Sequence, residues 1–255
     1  AEEGIGHYFA PLARFYQFRR SANIIICENR ADEFLAQGEP ELEDNIGKYY
    51  ELMQRGWRFS EFIPFDTLHQ FYLKSKTSGV AAIASLAALE REEPIYSDAV
   101  PKPKGQYIAG KIPRSGGGKI ELMGGAVFIE GRMVGTLNSD QMGIVRMLEG
   151  TFKRTIKDIP DPQQPDKFII ADVRPRQKPQ VKINISDGYP QIQANLKLEG
   201  SLFSIQSGIH YEDPQQLHLA EQAFTQSIQN DLEKAITKSK ELGVDLFGFG
   251  LHAKK

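Results

Sequence analysis

Asp213-Pro214-Gln215-Gln216-Leu217-His218 opens a run that continues to Leu242-Gly243, with Asp245-Leu246-Phe247-Gly248-Phe249-Gly250 behind it. The reading of this run decides the fold. Asp213 is a natural N-cap, Pro214 falls where a missing N–H costs nothing, and Gln216 stands where it can complete a capping box. Lys238 and Lys240 suit the last turns, and Gly243 just past them is a left-handed stop. Between these signals Leu217, Ala220, Phe224, Ile228, Leu232, Ala235, Ile236 and Leu242 form one apolar stripe opposite Gln, Asn, Asp and Lys. The spacing predicts a helix over 214–242, about 40 Å long and able to cross a whole sheet. Nothing in it is catalytic by residue type, and its stripe reads as core rather than as a binding groove.

Upstream, three stretches read as strands. Phe168 to Val173 is apolar; Val181, Ile183 and Ile185 alternate with Lys182 and Asn184; Ile192, Ala194, Leu196 and Leu198 alternate with Gln193, Asn195 and Lys197. The last two join across Ser186-Asp187-Gly188-Tyr189, a turn signal. Strict alternation predicts an antiparallel sheet with one buried face, which the long helix covers. Asp158 to Asp166, rich in proline and glutamine, reads as a loop. Gly124-Gly125-Ala126-Val127-Phe128-Ile129, then Glu130-Gly131, then Arg132 to Leu137, predicts a tight β-hairpin. Asn138 with Gln141 caps a helix over Ser139–Leu148 that Gly150 stops.

The N-terminal third is less regular. Ile5 to Phe18 predicts a helix with Tyr8, Phe9, Leu12, Phe15 and Tyr16 at helical spacing and Arg19-Arg20 at its end. Ala22 to Cys27 predicts a short strand covered on both faces. Helices follow over Ala31–Gln37 and Glu41–Arg55, the second with Ile46, Tyr49, Tyr50 and Met53 inward, and over Phe65–Lys74 with Asp66 as cap. Val80 to Leu89 is alanine-rich and open between strand and helix, with the Gly79 break favouring strand. One central strand makes no sheet alone, so this part reads as incomplete. Arg91 to Lys111, with Pro94, Pro101 and Pro103, reads as a linker. The expected fold class is α+β: an incomplete N-terminal α/β domain (residues 1–92), a linker or small middle segment (93–118), and a C-terminal antiparallel sheet backed by a long amphipathic helix (119–255).

Composition narrows the function. The 255 residues carry a formal net charge of -2 and 40% hydrophobic residues, an ordinary globular balance without the basic face of a nucleic-acid partner. A single cysteine, Cys27, makes neither an internal disulfide nor a thiolate metal site, and it reads as a buried strand residue. No apolar run approaches the ~20 residues that span a bilayer, and Ala1-Glu2-Glu3-Gly4 has no signal-peptide character, so the piece is expected to be soluble. Arg114-Ser115-Gly116-Gly117-Gly118-Lys119 resembles a phosphate loop, yet Lys119 runs into a strand-like segment rather than a helix, so it reads as a flexible loop. His7, His69, His210, His218 and His252 are scattered without metal-ligand spacing. No nucleophile elbow or Cys/His signature is present, and Glu41, Glu43 and Asp44 are explained by a helix start. The expectation is a non-enzyme with no catalytic, cofactor-binding or metal residues and no cofactor.

Three stretches share an order and spacing: Gly125-Ala126-Val127-Phe128 through Gly135-Thr136-Leu137, the long helix, and Leu246-Phe247-Gly248-Phe249-Gly250 followed by His252. They resemble the Ger(x)C proteins, the C-subunit lipoproteins of nutrient germinant receptors in spore-forming bacteria. Arg19-Arg20-Ser21-Ala22-Asn23-Ile24 to Asp32-Glu33-Phe34-Leu35 is similar to the family's N-terminal domain near its end. The resemblance implies a lipidated cysteine and further N-terminal residues ahead of this chain, and strands beyond it; Cys27, inside a strand, is not that cysteine. It also implies a receptor subunit anchored to the outer leaflet of the spore inner membrane beside integral-membrane A and B subunits.

Three functions compete. A non-catalytic scaffold would dock the A and B subunits; a ligand-binding module would take the germinant, an amino acid or sugar, directly; a hydrolase would need an unrecognised site. Tyr96 and Tyr107 in the proline-rich stretch are candidate surface contributors, and Gly124, Gly125, Gly248 and Gly250 read as structural.

Overall fold

A computed structural model describes residues 3–15, 17–38, 43–64, 66–89, 104–112, 119–186 and 189–252. Their elements in chain order are α1 (Gly6–Arg14), β1 (Ile25–Cys27), α2 (Ala31–Ala36), α3 (Ile46–Gln54), α4 (Leu68–Lys76), β2 (Ala82–Leu89), β3 (Ile120–Ile129) and β4 (Arg132–Leu137). There follow α5 (Ser139–Glu149), β5 (Thr155–Pro160), β6 (Phe168–Pro175), β7 (Gln180–Ser186), β8 (Tyr189–Asn195), β9 (Leu198–Ile205), α6 (Pro214–Leu242) and the short α7 (Phe249–His252). The class is α+β. A four-stranded sheet runs β1-β2-β3-β4, a three-stranded antiparallel sheet runs β5-β6-β9, and β7 and β8 form a two-stranded ribbon.

The lone N-terminal strand finds its partners inside the chain. β1 pairs in parallel with β2, and β2 pairs antiparallel with β3, so one sheet takes strands from both sides of residues 93–118. Alanines at 82, 84, 87 and 88 make β2 thin enough for cover on both faces. On one face Phe71 of α4 and Phe9 of α1 stack near Phe128, at ring separations of 5.2 Å. On the other, Val127 and Leu137 meet Met142 and Val145 of α5 and Ala235 of α6. β1 is packed on both faces, Ile24 and Ile26 against the Phe71–Phe128 core and Ile25 and Cys27 against Phe34 and Ala87, but it lies at the sheet edge and Cys27 is only half-buried; burial still pushes its thiol up to about 11.

The long helix is as the caps predict over Pro214–Leu242. The Asp213 side chain accepts from the Gln215 N–H and Gly243 takes φ 64°, but Gln216 makes no capping box and instead accepts from the Gln163 amide. α6 serves two cores. Its N-terminal half, with Ala220 and Phe224, covers Ile159 and Ile169 of the three-stranded sheet; its second half, with Ile228, Leu232, Ala235 and Ile236, packs against α5. Leu217, at the head of the expected stripe, is exposed. The tail behind α6 docks by backbone: the Ala81 N–H donates to the Asp245 carbonyl at 2.8 Å, and a Cβ on Gly250 would lie 2.9 Å from the Gly79 Cα, too close to accept.

Several local expectations shift. α1 stops at Arg14, so Phe15 is an exposed cap residue and Arg19-Arg20 lie beyond the helix; Tyr16 falls outside the described residues. α3 begins at Ile46 behind an Asn45 cap, and Ile46 itself is exposed while Tyr49, Tyr50 and Met53 pack inward; Glu41 lies outside the described residues. α4 is capped by Thr67 and Gln70 rather than Asp66, whose carboxylate pairs with Lys74. The predicted loop from Asp158 begins as the last residues of strand β5. The predicted strand over Ile192–Leu198 is two strands, β8 and β9, and every residue of β8 is exposed. The hairpin and α5 follow their signals: Glu130 and Gly131 turn at φ 49° and 81°, and Asn138 and Gln141 form the capping box.

Candidate functional site

Four segments far apart in sequence meet at one buried polar point. β5 has Thr155, Lys157 and Ile159 on its inward side, so a lysine is directed under α6 where an apolar residue would be usual. The Lys157 ammonium reaches Asp231 Oδ2 of α6 at 2.8 Å and Asp140 Oδ1 of α5 at 3.5 Å. Burial alone would lower the Lys157 pKa, but Glu61, Asp140 and Asp231 outweigh it and raise it. Asp140 is itself pushed up by burial. Lys234, one turn along α6, sits 3.5 Å from Asp231 Oδ1 at the rim, with 54% of its side chain exposed.

Glu61 is the fourth member, in the turn before α4. Arg146 of α5 clamps that turn, its Nη1 donating to the Ser60 carbonyl at 2.6 Å and to the Ile63 carbonyl at 3.3 Å. The Gly124 N–H donates to the Phe62 carbonyl at 2.6 Å. These three bonds hold the backbone and none of them reaches the Glu61 carboxyl, which is 4% exposed. Burial, chiefly, pushes it up to about 8. Gly143 on α5 leaves the space this carboxyl occupies, since a Cβ there would collide with it.

A cavity of about 150 Å³ opens between Glu61, Asp140, Lys157 and Asp231, roofed by Gly105 and Gln106. A second recess of about 260 Å³ continues past Gln106, Asp140 and Asp231 to Asn138 and Gln141. A larger, apolar groove of about 820 Å³ lies elsewhere, between Ile192 and Ala194 of the ribbon and Leu232, Ile236 and Phe247.

Residues singled out in the sequence lie elsewhere. Tyr96 falls outside the described residues, as do 114–118 of the phosphate-loop look-alike; Lys119 donates to Gln37 at 3.0 Å. Tyr107 is half-buried against the Phe71–Phe128 core and is not a surface contributor. Gly124 and Gly248 take φ 87° and 70°, and Gly125 lies against Ile83 and Met142. His218 pairs on the surface with Gln222, and among the described residues no His, Cys, Asp and Glu group forms a metal-holding set. Sequence reading missed Glu61, Asp140, Lys157 and Asp231 because no local spacing links them. The one available signal was a lysine at an inward position of a short strand.

The chain matches the family model for spore germination B3/GerAC-like C-terminal domains over residues 123–255, and that for the spore germination protein N-terminal domain over residues 1–88. It belongs to the Ger(x)C family of spore germination proteins. The fold is similar to the crystal structure of the GerBC protein, with a TM-score of 0.62 and 16% identity over 94% of this chain and 61% of that one. The chain thus spans less than two thirds of that protein's length. No curated protein matches it.

Proposed function

We propose that the protein is the C subunit of a nutrient germinant receptor, a non-catalytic lipoprotein that assembles with integral-membrane A and B subunits at the outer leaflet of the spore inner membrane. The observation that carries this is the pair of family matches, 1–88 and 123–255, which leave only a short stretch between them. The division at residues 1–92, 93–118 and 119–255 belongs to the same reading. No helix among the described residues is long and apolar enough to cross a membrane, which agrees with attachment by a lipid anchor. One acyl chain binds a bilayer only marginally, so contacts to membrane partners would strengthen the attachment. The exposed Ile185 and Ile192, which the register of the ribbon puts on one face, support an assembly role, because clustered exposed apolar residues mark interaction surfaces.

The test is capture from detergent-solubilised spore membranes with the chain as bait, read by mass spectrometry. Recovery of A or B subunits is expected. Their absence, with the bait folded and a full-length C subunit capturing them, would remove these residues from the contact.

A further inference from the structure

We propose that the cavity beneath Gln106 binds a small molecule through its primary ammonium group, with the Glu61 carboxylate as acceptor. Three observations converge on this. First, the cavity is lined by four carboxyl groups, Glu61, Asp140, Asp158 and Asp231, against two ammonium groups, Lys157 and Lys234. Carboxyl groups thus outnumber ammonium groups in that wall. Second, the two lysines are already engaged: Lys157 lies on Asp231 and Asp140, and Lys234 on the outer oxygen of Asp231. Neither comes within ion-pair range of Glu61 among the described residues, so a side chain 4% exposed faces the cavity with no donor. A buried carboxyl without a partner is unusual enough to call for one. Third, an ammonium offers three donors, and the lining offers carboxyl acceptors in Glu61 and Asp140, with Gln106 and Asn230 also in the wall. A metal ion is the poorer fit, since no cluster of metal-ligating side chains forms among the described residues. The volume of about 150 Å³ admits a molecule of a few heavy atoms, with Phe62 and Ile156 beside its carbon skeleton.

The exchange is balanced. In the empty cavity Glu61 is held as the neutral acid at pH 7, since burial pushes it up to about 8. An arriving ammonium stabilises the carboxylate, and the Glu61 proton leaves to solvent. The other charged groups facing it are Asp140 and Arg146 from α5, Lys157 and Asp158 from β5, and Asp231 and Lys234 from α6. Affinity therefore rises with pH towards about 8, by at most tenfold per pH unit, and levels off above it.

The experiment is calorimetric titration of the chain at pH 7, in two buffers of different ionisation enthalpy, with propylamine, alanine and propionate. Propylamine and alanine should bind with release of close to one proton, and propionate should not bind. Glu61→Gln should weaken both amines at least tenfold and abolish the proton release. Ser227→Phe, which fills the cavity from α6 without touching a charge, should block binding while the melting temperature holds. Failure of both amines to bind up to about 10 mM, a range where even very weak sites register, would overturn the proposal. So would unchanged affinity in Glu61→Gln, or propionate binding as well as propylamine.

Discussion

Lys74 and Lys157 are built from the same parts and end in different states. Each is a partly buried lysine held by two carboxylates: Lys74 by Asp66 at 2.8 Å and Glu149 at 2.7 Å, Lys157 by Asp231 at 2.8 Å and Asp140 at 3.5 Å. At Lys74 the group closes on itself and fastens α4 to the end of α5. At Lys157 a third carboxyl, Glu61, stands without a hydrogen bond among the described residues, and a cavity opens beside it. A charge cluster alone is therefore a fastening; what makes one a candidate site is an unsatisfied member facing open space.

Removing the lysines separates the two clusters by the size of the loss. Lys157→Met leaves Asp140 without its cation beside Glu61 and Asp231 with only the half-exposed Lys234, and should cost about 4 kcal/mol in urea unfolding. A loss below about 1 kcal/mol would show that water already screens the cluster. Glu61→Gln should act in the opposite direction. The folded-state value of about 8 stands above the ordinary 4.5, so the carboxyl's penalty is absent below pH 4.5 and grows as pH rises through that window. The amide should thus raise stability by about 3 kcal/mol at pH 7, with the difference vanishing near pH 4. An equal gain at both pH values would mean that packing, not ionisation, is responsible. Lys74→Met should cost less than Lys157→Met, about 2 kcal/mol, because its ammonium is the more exposed of the two and water partly takes its place. The smallest effect belongs to Lys234→Ala. Its half-exposed pair with Asp231 should change stability by less than about 0.5 kcal/mol in thermal or urea unfolding.

Legibility followed locality. α6, α5 and the β3–β4 hairpin were all readable, because each carries its own start and stop: Asp213-Pro214 and Gly243, Asn138–Gln141 and Gly150, Glu130-Gly131. β5 was not, because its inward set is Thr155, Lys157 and Ile159, which breaks the apolar alternation, and Pro160 closes it in a way an edge strand tolerates. β8 shows the converse. Ile192 and Ala194 alternate with polar residues as cleanly as any strand, yet nothing among the described residues covers them. Alternation signals a strand; it does not say what lies on the apolar face. The cap of α4 passed from Asp66 to Thr67 for a similar reason, since Lys74 and Asp66 meet only once the helix has formed.

What the sequence by itself determined are the pieces whose physics acts within a few residues: the capped helices, the two-residue hairpin turn, the glycine stops, and the ordered motifs that place the chain among Ger(x)C proteins. Only the tertiary structure decided which strands share a sheet, β1 and β2 with β3 and β4 across residues 93–118. It alone brought Glu61, Asp140, Lys157 and Asp231 to one cavity. Capping and turn geometry depend on neighbours along the chain, whereas burial and the pairing of charges depend on neighbours in space, and no spacing along the chain records those.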